Sequence, residues 1–173
     1  YVGADGAQKG ILGQENQLVQ LSNPPGTRTQ HTLPDGSIVY LNAGSTLEYP
    51  QAFGPDSREL TLRGEAFFEV VSDASRPFTV DAREVEVIVL GTQFNVNTNL
   101  EQPAVALVEG KVRLQAKSAD ASVEIRPTQM AIFDPEGNAF SLASFDPRGI
   151  TDWKEGYLTF KEASFEEVID KLH

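Results

Sequence analysis

The sequence predicts a mainly β protein built from many short antiparallel strands, arranged either as a twisted sandwich or as a solenoid-like stack. Three observations predict this class. Apolar side chains alternate with a period of two residues, turns rich in glycine and proline separate the alternating segments, and the apolar parity changes next to several glycines. We expect the beginning of a small α/β unit to follow the β part.

The longest alternating stretch covers residues 58–71. From residue 59 to residue 70 the charged residues occupy one parity and the apolar residues, apart from Phe67, the other, which is typical of a half-buried strand. We interpret it as one long strand broken at Gly64, where a bulge or a close backbone approach is expected. Phe67 lies among the charged residues, so another part of the molecule should cover it. The predicted core residues are Leu60, Leu62, Ala66, Phe68 and Val70.

The remaining strands of the β part are separated by turn residues. An Asp-Gly pair at 35–36 lies between two alternating segments and predicts a hairpin. Pro77 suggests that the strand after it lies at a sheet edge, because proline cannot donate a ladder hydrogen bond. Strands are predicted at residues 29–33, 38–41, 46–49, 76–80, 85–89, 122–125, 130–133 and 139–142.

Glycines mark the places where the alternation changes. Apolar parity shifts by one residue at Gly91 and again at Gly110. Because such a shift moves every later side chain to the other face, a bulge or a corner is expected at each site. Together with Gly36 and Gly64, these residues predict hairpins or coils that turn corners at glycines.

We divide the 173-residue chain into three parts. A linker and a first strand occupy residues 1–22, an all-β domain residues 23–147, and the truncated start of an α/β domain residues 148–173. In the last part we predict a strand at 157–160 and a helix that begins at a capping box over 164–167. The start at Tyr1 is neither an initiator methionine nor a signal peptide, so we expect a processed or cut fragment.

Composition excludes several classes of function. A net charge of −11 and a pI near 4.6 argue against nucleic acid and anionic membranes as partners. The sequence contains no cysteine, which rules out disulfides and thiolate metal sites. No run of about 18 apolar residues could span a bilayer.

The residues give no sign of catalysis, a metal or a cofactor. The two histidines, His31 and His173, have no metal-ligand spacing, and His31 is interpreted as an ordinary strand residue. Glu65 and Glu69 would lie about 13 Å apart on one strand, too far for a glycosidase pair. Trp153 and Tyr157 could form a sugar-stacking platform, although aromatic packing at a domain junction is more typical. We therefore expect no enzyme.

Several stretches, in this order and spacing, resemble the FecR-type anti-sigma regulators of bacterial cell-surface signalling. The resemblance covers about residues 20–145, and residues 153–172 are similar to the start of the STN-like α/β domain found in the Bacteroidetes type. One departure is Pro127-Thr-Gln129, where the family usually has Pro-Gly-Glu. The matching stretches are Leu33-Pro-Asp-Gly-Ser37, Leu41-Asn-Ala-Gly-Ser45, Leu62-Arg-Gly-Glu-Ala-Phe-Phe-Glu-Val70, Arg76-Pro-Phe78, Leu90-Gly-Thr-Gln-Phe-Asn-Val96 and Glu109-Gly-Lys-Val112.

The resemblance implies the periplasmic part of a single-pass inner-membrane protein. Its expected partners are the N-terminal signalling domain of a TonB-dependent outer-membrane transporter and, through an absent cytoplasmic segment, an ECF sigma factor. We expect the transporter to bind by strand addition or edge-to-edge docking at the C-terminal piece. The candidate interface residues are Trp153, Tyr157, Leu158 and Phe160. The alternative is a carbohydrate-binding or structural β module of a glycan-uptake system.

Overall fold

Two seven-stranded sheets make up most of the computed structural model, which describes residues 17–118 and 120–155. The predicted strand at 157–160 and the helix after it lie outside these residues. The strands are β1 (Leu18–Ser22), β2 (Thr29–Thr32), β3 (Ile38–Leu41), β4 (Thr46–Pro50), β5 (Arg58–Arg63), β6 (Glu65–Glu69), β7 (Phe78–Ala82), β8 (Val85–Val89), β9 (Gln93–Asn97), β10 (Ala104–Glu109), β11 (Val112–Ala116), β12 (Ser122–Ile125), β13 (Gln129–Asp134) and β14 (Ala139–Ser144).

The two sheets pack face to face as a sandwich. The first sheet has the strand order β1-β4-β5-β7-β8-β11-β12, and the second has the order β14-β13-β10-β9-β6-β3-β2. Every pair is antiparallel except β5 with β7. Of the two arrangements that the sequence left open, the sandwich is confirmed.

The core lies between the sheets and is built from the alternating apolar residues. Phe68 of the second sheet stacks on its neighbour Phe94, with ring centroids 5.1 Å apart. It also meets Phe78 of the first sheet edge to face at 6.1 Å. All five core residues predicted in the stretch 58–71 are buried. Each large apolar side chain buried in this way contributes about 1.5–3 kcal/mol.

The stretch 58–71 is two strands in different sheets, so its interpretation as one long strand is wrong. The chain leaves the first sheet after Arg63 and enters the second at Glu65. The side chains of Leu62 and Ala66 both point into the shared core, so the alternation continues unchanged through the corner. The expected corners at Gly91 and Gly110 are also changes of sheet, from β8 to β9 and from β10 to β11.

Pro77 does not mark a sheet edge, because β7 lies between β5 and β8 in the middle of the first sheet. The proline stands one residue before the strand, where no ladder donor is required. Its carbonyl oxygen accepts a hydrogen bond from the Arg58 amide at 2.9 Å. The hydrogen-bond ladder between β5 and β7 therefore begins without a bond missing at the proline.

A short helix follows the last strand, where the sequence analysis placed only a boundary. Helix α1 (Pro147–Thr151) begins with the Asp146 side chain accepting a hydrogen bond from the Arg148 amide at 3.1 Å. Proline at the first helical position favours this start because its φ is already helical. A 3₁₀ helix (Asp152–Glu155) continues the segment. Within the described residues, no helix is long and apolar enough to cross a membrane.

We predict that Gly64→Ala lowers the free energy of unfolding by about 2–4 kcal/mol. The glycine has a φ of +107°, and an added Cβ would lie 2.3 Å from Ser45 Oγ. The measurement is urea denaturation followed by far-UV circular dichroism. Gly54→Ala is the control, because its nearest neighbouring atom, Ser57 O, is 3.9 Å away. Equal stability of the two variants would contradict a steric requirement at the corner.

We predict that Thr128→Gly stabilises the protein by about 1 kcal/mol. Thr128 has a φ of 69° and an exposed side chain. The left-handed turn is therefore kept, although this chain has threonine where the family that it resembles usually has glycine. Relief of backbone strain should raise the urea midpoint. Asn138→Gly, at a φ of 49°, should gain less because asparagine tolerates this region. A lowered midpoint for Thr128→Gly would show that the turn carries no strain.

Candidate functional site

The buried side chain of Arg58 forms the most connected polar site in the described part of the chain. Its guanidinium is fully buried, and its Nη1 donates to Asp35 Oδ2 at 2.8 Å, a carboxylate that is itself 3% exposed. The guanidinium also lies 5.4 Å from the centroid of the Phe78 ring. The remaining acceptors are the carbonyl oxygens of Val71, Asp73, Arg76 and Leu90. These five bonds match the five N–H donors of arginine.

We call Arg58 and its acceptors the Arg58 clamp. The clamp joins the start of β5 in the first sheet to the turn before β3 in the second. Ser37 extends it, because Asp35 Oδ2 accepts a hydrogen bond from Ser37 Oγ at 2.7 Å. Ser37 Oγ in turn accepts from the Val71 amide at 3.0 Å. The Asp-Gly-Ser turn therefore positions the counter-ion of a buried arginine.

The loop after β6 is held in shape for the clamp. Hydrogen bonds from Ser75 and then from Arg76 lower the pKa of Asp73. The carboxylate stays ionised and organises the loop whose carbonyl oxygens, at residues 71, 73 and 76, face Arg58. The clamp has no open position for a substrate, so its arrangement is structural.

A second stretch shared with the family, Asn42-Ala-Gly-Ser45, holds the corner at Gly64. Ser45 Oγ accepts a hydrogen bond from the Glu65 amide at 2.8 Å. On the other side, Thr98 Oγ1 accepts from the Gly64 amide at 2.7 Å. The corner backbone is thus satisfied where the chain changes sheet, which a buried backbone requires.

The outer face of the second sheet carries the candidate interaction site. Phe67 points away from the core, yet it is completely buried, as the sequence analysis expected. Lys154 lies over it, with Nζ 4.5 Å from the Phe67 centroid and 5.0 Å from the Tyr40 centroid. The same Nζ donates to Glu69 Oε1 at 2.6 Å. An aromatic and acidic socket therefore holds a lysine.

Trp153, the one candidate interface residue within the described part of the chain, is half-buried next to this socket. Arg28 Nη1 donates to the Trp153 carbonyl oxygen at 3.4 Å, and its guanidinium lies 6.0 Å from the ring centroid. A cavity of about 170 Å³ adjoins the indole and is also lined by Gln30 and Tyr40. The other candidates, Tyr157, Leu158 and Phe160, lie outside the described residues.

The carboxylates considered for catalysis have other partners. Glu65 accepts from the side-chain amides of Asn42 at 2.7 Å and Asn95 at 2.9 Å, and Glu69 pairs with Lys154. His31 contacts Thr29 Oγ1 through Nε2 at 2.7 Å, and partial burial lowers the pKa of the imidazole. In residues 17–118 and 120–155, no group of three His, Asp or Glu could hold a metal ion.

The outer face of the first sheet is acidic. A broad cavity of about 570 Å³ there is lined by several carboxylates, of which Asp81 pairs with Lys117. Such a surface repels phosphate backbones, in line with the net charge. The other lining carboxylates are those of Glu48, Glu59 and Glu86.

The two packed sheets form a β sandwich. The buried arginine and the glycine corners stabilise this fold. The model of the FecR protein family matches residues 20–113, more than half of the chain. Two crystal structures of a candidate anti-sigma factor from Parabacteroides distasonis are similar to it, each at 34% identity and a TM-score of 0.77. The matches cover 90% and 89% of this chain and 73% of the other. A search of curated protein sequences returned no match.

The chain belongs to the FecR family, and it is therefore part of a regulatory protein. The family resemblance read from the sequence is confirmed. The clamp joins two of the stretches that carry the resemblance, because Asp35 comes from one and the carbonyl oxygen of Arg76 from another. The sequence analysis missed Arg58, which opens an alternating strand and looks there like a solvated charge.

We predict that Arg58→Met lowers the free energy of unfolding by about 3–5 kcal/mol, because Asp35 is left buried without its counter-ion. Thermal and urea unfolding measure the loss. Arg63→Met is the matched control at the exposed end of the same strand and should change stability by less than about 0.5 kcal/mol. Similar small effects for both variants would show that the clamp is dispensable.

Proposed function

We propose that this chain is the periplasmic, signal-receiving part of a membrane-anchored anti-sigma regulator. It would relay the status of a TonB-dependent outer-membrane transporter to an ECF sigma factor. The observation that carries the proposal is FecR-family membership together with structural similarity, over 90% of the chain, to a candidate anti-sigma factor. The sigma factor would contact a cytoplasmic segment of the whole protein, and the transporter would contact the C-terminal piece.

The distribution of polar groups supports a relay. Three buried polar residues of the stretches that carry the resemblance, Ser37, Ser45 and Thr92, each bond to a backbone group through the side chain. Signal reception must then use the surface. The segment around Trp153 is the best placed surface, because it carries an indole and a lysine across the outer face of the second sheet.

Partner binding is proposed at the C-terminal piece, by strand addition or edge-to-edge docking. Trp153 forms the described border of this site, and Tyr157, Leu158 and Phe160 are proposed to supply its strand. Strand addition draws affinity from unpaired backbone donors and acceptors and specificity from alternate side chains. The partner that fits is the N-terminal signalling domain of the transporter.

A glycan-binding module is the alternative, favoured by the cavity beside Trp153. Both Arg28 and Lys154 already occupy space around the aromatic rings there. A sugar would have to displace these cations to stack on the indole. The regulator is therefore the better supported function.

We predict that the chain, extended through its complete C-terminal domain, binds the signalling domain of the transporter encoded beside it with micromolar or tighter affinity. Isothermal titration measures this binding, and oligosaccharides titrated in the same way should produce no heat. Leu158→Ala and Phe160→Ala should weaken binding by at least about tenfold without loss of stability. Leu100→Ala, at an exposed loop position, is the control.

Two outcomes would count against the proposal. Binding of an oligosaccharide by the folded protein, with none of the signalling domain, would favour the glycan module. Loss of affinity in proportion to lost stability would remove Leu158 and Phe160 from the interface and leave the relay to another surface.

A further inference from the structure

The segment after β14 crosses the outer face of the second sheet. At its start, the Phe145 amide donates to the Thr128 carbonyl oxygen at 3.1 Å, beside the first residue of β13. At its end, Lys154 contacts β6 and β3, three and four strands further along the sheet. At about 4.8 Å per strand, this separation is about 14–19 Å. We call residues 145–155 the strap.

The dimensions of the strap match this crossing. The five residues of α1 and the four of the 3₁₀ helix together extend about 15 Å. The length of the strap is therefore close to the separation that it crosses on the sheet. Helices this short are unstable alone, because isolated helices below about 12 residues are marginal in water. Their conformation depends on contacts with the sheet.

The sheet surface in the middle of this face is covered. Strand register places Phe67, Asn95 and Ala106 side by side, all pointing away from the core. Their exposed fractions are only 0%, 5% and 3%, although solvent would normally reach this side of a sandwich. Alanine in such a position leaves room for an overlying segment. The outer face is therefore built to be covered.

The end of the strap is fixed by a peg-in-socket contact. Lys154 Nζ forms an ion pair with Glu69 and lies over the rings of Phe67 and Tyr40. The Lys154 side chain is 13% exposed, so this ion pair is shielded from solvent far more than an ordinary surface pair. A cation over an aromatic ring gains about 0.5–2 kcal/mol, more when desolvated. Lys154 therefore fixes the end of the strap to β6 and β3.

Two buried polar atoms in this region oppose docking. Trp153 Nε1 is a donor and Asn95 Oδ1 an acceptor, and neither has a hydrogen-bond partner among the described residues. Each buried atom left in this condition costs about 1–3 kcal/mol. These costs act against the gain from Lys154 and favour release of the strap.

We propose that the strap is a releasable element, in which Lys154 is a peg held by the socket of Tyr40, Phe67 and Glu69. Release uncovers Phe67 and hydrates both Trp153 Nε1 and Asn95 Oδ1, while the sandwich stays folded. The device is a two-state coupling between the C-terminal part of the chain and the outer face of the second sheet. It does not depend on which partner the protein binds, so the binding experiment above can fail without affecting it.

The test is Lys154→Gln, read through the only tryptophan of the sequence. We expect the emission maximum of Trp153 to shift to longer wavelength. We also expect backbone amides in 148–155 to exchange at least about tenfold faster, because the charge-assisted contact is lost. The far-UV spectrum and the exchange of strands β5, β6 and β9 should stay unchanged. Glu69→Gln should reproduce these effects, and the double variant should add little to either single change.

Lys111→Gln is the matched control, because Lys111 pairs with Glu124 at 3.5 Å on an exposed surface. It should leave the emission and the exchange of the strap unchanged. The proposal is overturned if Lys154→Gln leaves the strap as protected as in the unmodified protein. It is also overturned if the strap and the sandwich strands lose protection together, since the strap would then belong to the cooperative core. If Lys154→Gln fails to fold, Glu69→Gln tests the proposal through the same emission and exchange measurements.

Discussion

The buried ion pair of Arg58 and Asp35 is the interaction on which the rest of the structure depends. A guanidinium with no exposed surface is tolerated only when every donor is satisfied, and here each N–H has an acceptor. Those acceptors belong to the Asp35 turn, the loop at 71–76 and the end of β8, so one side chain ties both sheets together. The corner at Gly64 lies at the opposite end of β5 from Arg58, and there Ser45 and Thr98 bond to the backbone.

The residues that support the fold and the segment that crosses the outer face are separate, and this separation bears on function. The stretches that carry the family resemblance contribute Asp35 to the clamp and Ser45 to the corner at Gly64. A regulator needs such an arrangement, with a stable body that keeps its shape and a peripheral segment that changes position. The strap fits the second role: its helices are short, Lys154 pairs with Glu69, and Trp153 Nε1 and Asn95 Oδ1 have no hydrogen-bond partner among the described residues. A signal that reaches the C-terminal part could thus be registered at Phe67.

Much of the sandwich could be predicted from the sequence, because alternation reports which side chains face the core. The change of sheet at Gly64 could not be predicted, because the residues on both sides of the corner keep the same inward parity. At Gly91 and Gly110 the parity shifts, and each shift predicted a bulge or a corner. Arg58 was missed because a charged residue at a strand end normally faces solvent. Phe67 was informative because it breaks the alternation. An aromatic residue among acidic residues predicted that another part of the molecule covers it. The lysine that provides part of that cover is distant in sequence and follows no periodic pattern.

Native-state hydrogen exchange of the unmodified protein tests the account most directly. The Val71 amide, bonded to Ser37 Oγ, and the Arg58 amide, bonded to Pro77 O, report on the clamp, and the Gly149 amide reports on the strap. The account predicts that Val71 and Arg58 exchange only through global unfolding, at the free energy found by denaturation, whereas Gly149 exchanges through local opening. Exchange of Val71 and Arg58 at a much lower free energy than the core strands would contradict it, because the clamp would then open while the sandwich persists.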